Sequence, residues 1–270
     1  MKTIESFQQL LDLSAGIRNL KKGFITNFYP DAVKHSMWIN KQSLQYEEFG
    51  DTVLLAKTDN SFWNIFYIST SISSLRQSVG KLKNIYGDRT LVMDIVGRQD
   101  QCMPVVDILQ EDGFSIATSL VRMQRISRED DSFFPVEDVS YATSEDIAEV
   151  SSCLHTYFNE TLEQIPYDDE LMLFATERRI LTIRRDGRLA GFLIFEKNAT
   201  TLYLRYWFTR PEYREQKVGA RLLKQFFYEG RNTKRQILWV IESNENAIKR
   251  YVHYGFGNEN MHDYVMSTSN

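Results

Sequence analysis

The sequence predicts an α/β (α+β) chain of two like units, each a mixed, mostly antiparallel sheet flanked by helices. Three observations carry this. Short apolar runs of strand length alternate with segments whose apolar residues recur at helical spacing. Asp186-Gly187 stands between two apolar runs, the pattern of a two-residue hairpin. The first half runs strand, strand, amphipathic helix, buried strand, helix ending in Gly-Phe, final strand, and the second half repeats that order. DILQEDGF (107–114) lines up with IKRYVHYGF (248–256) at an offset of about 140 residues, which suggests a duplicated unit.

The elements follow in order. Ile4, Phe7, Leu10 and Leu11 mark a short helix, and 51–57 with 62–69 form a strand pair joined by the turn Thr58-Asp59-Asn60-Ser61. Ile72, Leu75, Val79 and Leu82 recur at helical spacing before a buried-type strand at 90–96. A helix with Pro104 near its start carries Val105, Val106, Ile108 and Leu109 and ends at Gly113-Phe114; 115–126 closes the half as a strand. The polar, acidic stretch 127–138 reads as the connection, dividing the chain into domains 1–132 and 133–270. Beyond it, Thr143 and Asp146 cap a helix carrying Ile147, Val150, Cys153 and Leu154, and a second helix is expected from Tyr167 to Glu177. The Asp-Gly hairpin, a strand at 201–208, a helix with Val218, Leu222, Leu223 and Phe226 on one face, and a continuous apolar strand, QILWVIES, follow. A helix aligning Ala247, Ile248, Tyr251 and Val252 ends at Gly255-Phe256.

Composition narrows the function. The 270 residues are 43% hydrophobic and 25% charged, enough for a core that needs no metal or disulfide staple. A formal net charge of −4 argues against a protein devoted to holding nucleic acid. Cys102 and Cys153 have no CxxC spacing, and the four histidines and two cysteines show no metal-ligand pattern, so no metal is expected. No signal peptide and no membrane-crossing run are read, so a cytoplasmic location is expected, with neither nucleic acid nor membrane as partner. No phosphate-binding P-loop or GxSxG elbow occurs.

The chemistry concentrates in RPEYREQKVGARLLKQFF, residues 210–227. Pro211 turns the chain out of a strand and into a helix whose first N–H groups have no internal partner and sit at the positive end of the dipole. That is an anion site, suited to a pyrophosphate, with Arg210, Arg214, Lys217, Arg221 and Lys224 around it and Gly219 allowing close approach. The same spacing also describes a solvated basic helix face.

PEYREQKVGARLL resembles motif A of the GNAT superfamily of acyl-CoA N-acyltransferases, and NENAIKRYVHYGF resembles motif B, with Asn244, Ala247, Tyr251, Gly255 and Phe256 at the matching positions. The resemblance covers roughly 134–270. It implies that backbone N–H groups of Arg214, Glu215, Gln216, Lys217, Val218 and Gly219, with Ala220 just beyond, cradle the pyrophosphate of acetyl-CoA or another acyl-CoA. It implies that the backbone of Phe208 and Thr209, at the splayed end of their strand, pairs with pantetheine. Asn244, beside Ala247, contacts the pantetheine arm, and Tyr251 protonates the leaving thiolate. Lys217 departs from the family, which has glycine there. The expectation is helical φ, where lysine fits without strain; a positive φ would make it costly.

In this reading a primary amine attacks the thioester directly and a carboxylate assists its deprotonation. Glu242 and then Glu196 are the candidates, both taken to lie where strand ends open toward substrate. Each is equally readable as a solvated strand-end carboxylate, and His155 and His253 as bystanders. The first half has no matching loop at its motif A position, only Gly80 inside STSISSLRQSVGKLK, and Leu109 stands where a tyrosine is needed. It therefore resembles a degenerate unit of a tandem GNAT protein. The acidic stretch 157–170 is in the region that borders the acceptor in this family, and suits either a cationic amine or a solvated surface. The alternatives are an aminoacyl transferase of the FemA/FemX kind and a catalytically silent CoA-binding or interaction protein.

Overall fold

The computed structural model describes residues 1–59, 61–128 and 134–268. Asn60 of the expected turn, residues 129–133 of the expected connection, and with them the expected 132/133 boundary, lie outside the described residues. The chain forms two compact units: Met1–Leu120 with the chain from Asn260 onward, and Val121–Glu259.

The first unit contains β1 (Lys2–Thr3), α1 (Phe7–Asn19), β2 (Ile25–Thr26), α2 (Ala32–Asn40), β3 (Leu44–Phe49), β4 (Thr52–Thr58), β5 (Phe62–Ser69), α3 (Ile72–Val79), α4 (Leu82–Tyr86), β6 (Thr90–Gly97), α5 (Gln99–Glu111) and the start of β7 (Ser115–Ile126). Its sheet runs β1-β3-β4-β5-β6 and ends on β13 (Gly257–Ser267); β2 adds to β5, and β5 and β6 are parallel. Leu75 and Val79 of α3 and Val105, Val106, Ile108 and Leu109 of α5 cover one face over Leu54, Ile65, Met93 and Ile95.

The second unit contains β8 (Ser140–Tyr141), α6 (Ile147–Tyr157), α7 (Glu160–Glu163), α8 (Asp168–Thr176), β9 (Ile180–Arg185), β10 (Arg188–Asn198), β11 (Thr201–Thr209), α9 (Val218–Glu229), β12 (Arg235–Ile241) and α10 (Glu245–His253). Its sheet runs β7-β12-β11-β10-β9-β8, with β11 and β12 parallel. The expected hairpin forms: Asp186 and Gly187 have φ of 51° and 76°, the two left-handed residues of a type I′ turn. Two cores follow from the alternation of β10, which is offset by one residue at the irregularity between Leu189 and Gly191. Ala190, Leu193 and Phe195 face Val218, Leu222 and Phe226 of α9, while Leu189, Phe192 and Ile194 face Val150 and Leu154 of α6 and Leu171 of α8.

Several expectations are corrected. Pro104 lies inside α5 rather than in its first turn, so it removes a helical hydrogen bond. The helix expected through Leu82 breaks after Val79, with Gly80 at its C-cap. β12 is buried on alternate residues only, Gln236, Leu238 and Val240, because one face of the strand is partly open. α2 and β3 carry no periodicity that the sequence reading used.

Candidate active site

β11 and β12 pair only from Thr201–Leu204 against Arg235–Leu238, although β11 continues to Thr209 and β12 to Ile241. Beyond Leu204 the two strands part, while β11 keeps its pairing with β10 out to Thr209. Arg210 N–H donates to the Ala190 carbonyl at 2.9 Å. In an antiparallel ladder successive residues turn their backbone groups to opposite edges. Tyr206 and Phe208 therefore bond toward β10, and Trp207 and Thr209 face the gap. The Phe208 carbonyl accordingly lies 2.6 Å from where a Cβ on Gly191 would sit. This corrects the placement of Phe208: its backbone belongs to the sheet, and Trp207 is the residue that was missed. The signal was the strand period itself, counted back two from Thr209.

Past Arg210 the chain makes a 3-10 turn, Pro211–Gln216, then α9. Lys217 joins them with φ 58° and ψ 17°. The expected helical φ is overturned, because the chain must change direction between the two helices across one residue. A left-handed residue following right-handed ones turns successive N–H groups into a concave, anion-binding arrangement. The first α-helical bond runs from Arg221 N–H to the Lys217 carbonyl at 3.0 Å, so the N–H groups of Val218, Gly219 and Ala220 have no α-helical acceptor.

Gly219, in the first turn of α9, is explained by its contact with β11. Its carbonyl accepts from Trp207 Nε1 at 3.1 Å, and a Cβ there would lie 3.1 Å from Thr209 Oγ1 and 3.3 Å from the Trp207 ring. The basic cluster divides. Arg210 donates to the Leu189 carbonyl (2.7 Å) and pairs with Glu149 (3.2 Å), and Arg221 donates to Asp138 (2.5 Å). Arg214, Lys217 and Lys224 are exposed.

α10 begins at Asn244, whose Oδ1 accepts from Ala247 N–H at 3.1 Å. This cap phases the helix so that Tyr251 packs on Trp207, ring centroids 5.7 Å apart, and on Phe256 at 5.9 Å. Burial pushes the Tyr251 phenol up to about 12; Arg250 opposes the shift and Glu163 adds to it.

The two candidate carboxylates are not brought together. β10 is antiparallel to β11 and pairs Glu196 with Tyr203, whereas β11 and β12 end together. Glu196 therefore lies toward the opposite end of the sheet from Glu242, and it is held by Arg205 at 2.8 Å. Glu242 is exposed in the turn after β12. His155 pairs with the exposed Glu160, and His253 meets Tyr254 edge-on.

A third carboxylate escaped the sequence reading. Glu163 ends α7, and its carbonyl and that of Gln164 both accept from the Tyr206 hydroxyl, at 2.6 and 3.0 Å. Gln164 is left-handed (φ 43°), which ends the helix there. Burial raises the Glu163 carboxyl, partly offset by the Asn159 backbone N–H. Only its place in the acidic 157–170 stretch pointed to it. Among the described residues no cluster of three or more His, Cys, Asp or Glu could hold a metal, and no helix is long and apolar enough to cross a membrane.

Residues 145–256, which hold the parted strands, the Lys217 loop and Tyr251, match the profile of the Acetyltransferase (GNAT) family. This segment is a GNAT-family acetyltransferase domain. No curated protein matches the chain in sequence. Among solved structures it is similar to a tandem GNAT protein from the clavulanic acid biosynthesis pathway: TM-score 0.60, 13% identity, 97% of this chain and 94% of that one. It is also similar to a GCN5-related N-acetyltransferase from Sphaerobacter thermophilus (TM-score 0.58, 12% identity, 89% and 86% covered) and to a GNAT-family acetyltransferase from Colwellia psychrerythraea (0.55, 12%, 98% and 98%). These likenesses establish the tandem GNAT fold over nearly the whole chain.

Proposed function

We propose that the second unit is an acyl-CoA-dependent N-acyltransferase, with acetyl-CoA as donor and a primary amine as acceptor. The carrying observation is the gap between β11 and β12, bounded by the Lys217 loop and by Tyr251. Trp207 and Thr209 offer backbone groups along the gap for a pantetheine arm. The N–H groups of Lys217, Val218, Gly219 and Ala220 serve the pyrophosphate, supported by the side chains of Arg214 and Lys217. The residues present suit an acyl-CoA, which supplies the activated thioester.

An alkyl amine of pKa ~10 is neutral in roughly one molecule per thousand at pH 7, so it must lose a proton before attack. Glu163 is our choice for that base rather than Glu196, whose charge is committed to Arg205. Burial raises its carboxyl, which favours taking up a proton. The ammonium has three N–H bonds and the product amide one: one proton leaves through Glu163 to water, the other ends on the thiol. Tyr251, pushed up to about 12, stays protonated and donates to the developing thiolate. Full transfer to a thiolate of pKa ~8.5 is uphill by about 5 kcal/mol, so its contribution is a hydrogen bond that strengthens as the C–S bond breaks.

Calorimetric titration with acetyl-CoA tests the reading, wild type beside Arg214→Glu/Lys217→Glu. Micromolar binding in wild type, weakened about tenfold or more by the double reversal, supports it. Amine-dependent thiol release across a set of primary amines, lost in Glu163→Gln, supports the base. Absence of acetyl-CoA binding in wild type refutes the proposal.

A further inference from the structure

The two units share their order of elements, so one slot can be compared with the other. In the first unit β5 and β6 are the parallel neighbours. They pair at Phe62–Asn64 with Thr90–Val92 and then part, β5 running on to Ser69 and β6 to Gly97. Thr70 N–H donates to the Asp51 carbonyl at 3.1 Å, as Arg210 N–H does to that of Ala190. Thr70 thus stands where Arg210 stands, and Tyr67 where Trp207 stands, with its backbone turned to the gap.

This gap is filled by the chain itself. Ile25 and Thr26 pair antiparallel with Ser69 and Ile68. Tyr67 N–H donates to Asn27 Oδ1 at 2.7 Å, and Thr26 Oγ1 donates to the Tyr67 carbonyl at 2.6 Å. Asn27 Nδ2 donates to the Ile65 carbonyl at 3.4 Å and, across the gap, to the Asp94 carbonyl of β6 at 3.1 Å. One carboxamide therefore bridges both parted strands, with Phe28 buried after it. The end that carries the Lys217 loop in the second unit is also closed here. Ser71 Oγ accepts from Ser74 N–H at 3.1 Å, capping α3 from within. Gly23, at φ 110°, passes so near Thr70 that a Cβ would lie 2.6 Å from its carbonyl oxygen. Only glycine meets both conditions.

We propose that Gly23–Phe28 is a built-in ligand of the first unit: the Asn27 carboxamide takes the place that a pantetheine amide takes in the second unit's slot, so the chain binds one acyl-CoA, through the second unit alone. The inference rests on the proposed function for the identity of the excluded ligand; the occupied slot does not depend on it. It also gives the degenerate half a physical account. Without an internal occupant, the parted strands would leave buried backbone groups unpaired, which folded chains avoid.

The test combines residue-resolved amide hydrogen exchange with calorimetry on the full chain. Tyr67 N–H is expected to be protected in the free protein and Trp207 N–H to exchange quickly. Acetyl-CoA should protect Trp207, leave Tyr67 unchanged, and bind at one per chain. In Asn27→Ala, Tyr67 protection should fall about tenfold or more, the loss of one hydrogen bond, with the stoichiometry still one. Rapid exchange of Tyr67 in wild type, two acetyl-CoA per chain, or a response of Tyr67 to acetyl-CoA would overturn the proposal. If wild type binds no acetyl-CoA, the proposed function falls, while exchange at Tyr67 still decides whether the slot is occupied. If Asn27→Ala does not fold, the wild-type exchange and stoichiometry carry the decision.

Discussion

Lys217 offers the most direct test of the site's backbone. Its φ of 58° costs an L-residue roughly 1–2 kcal/mol relative to right-handed conformations. Its side chain is exposed, so replacement removes no packing. Glycine relieves the strain but returns about 0.5–1 kcal/mol through the greater freedom of the unfolded chain. Lys217→Gly should therefore gain about 0.5–1 kcal/mol, a rise in melting temperature of ~1–4 °C for a chain of this size. Lys217→Ala supplies the control, since it removes the charge and keeps the strain. Both variants lose one exposed cation beside the phosphate loop and should weaken acetyl-CoA by up to about fivefold. Scanning calorimetry of the three proteins without ligand decides the point. If Lys217→Gly melts together with or below Lys217→Ala, the left-handed assignment and the argument built on it are wrong.

Other outcomes follow from the same geometry. Tyr251→Phe should lower turnover by about 100-fold or more with little change in acetyl-CoA affinity, read by thiol release and calorimetry. With the phenol at about 12, no activity limb from Tyr251 should appear below about pH 11. Its folded value lies above the unfolded ~10, so the stability it contributes is complete below pH 10 and lost as pH rises toward 12. Gly191→Ala sets a Cβ 2.6 Å from the Phe208 carbonyl and 2.8 Å from Val218 Cγ1, and should destabilise by roughly 1–3 kcal/mol in urea unfolding; an unchanged midpoint would contradict the packing. Burial and the Asp94 carboxylate hold Asp263 well above the usual carboxylate range. The stability this contributes is present below the unfolded value near ~3.9 and is lost as pH rises. Asp263→Asn should thus gain on wild type between pH 4 and pH 8, and a constant difference in melting temperature would refute the raised value.

Much of the second unit could be read from neighbouring residues. The Asp186-Gly187 turn, the Thr143–Asp146 cap and the phase of Tyr251 on α10 are set within a few positions of sequence, where φ preferences, capping and the 3.6 period act. The motif A and motif B stretches likewise named the loop and the helix that bound the gap. Local rules could not give the sign of φ at Lys217, because that depends on where the 3-10 turn and α9 must each pack. The same limit placed Phe208, rather than Trp207, toward the gap: which edge a strand residue faces is set by the register with β10.

What the sequence by itself determined is most of the elements, the repeat of their order and the stretches that form the loop and carry the tyrosine of the second unit, all products of short-range preferences and periodicity. The tertiary structure decided which groups face each gap and what fills it. Arg210 and Arg221 are drawn into ion pairs while Arg214, Lys217 and Lys224 stay exposed, and Asn27 reaches Tyr67 and Asp94 across long stretches of chain. Such pairings join residues remote in sequence. Each hydrogen bond depends on the packing of the sheets that bring its partners within reach, and no periodicity or spacing encodes that.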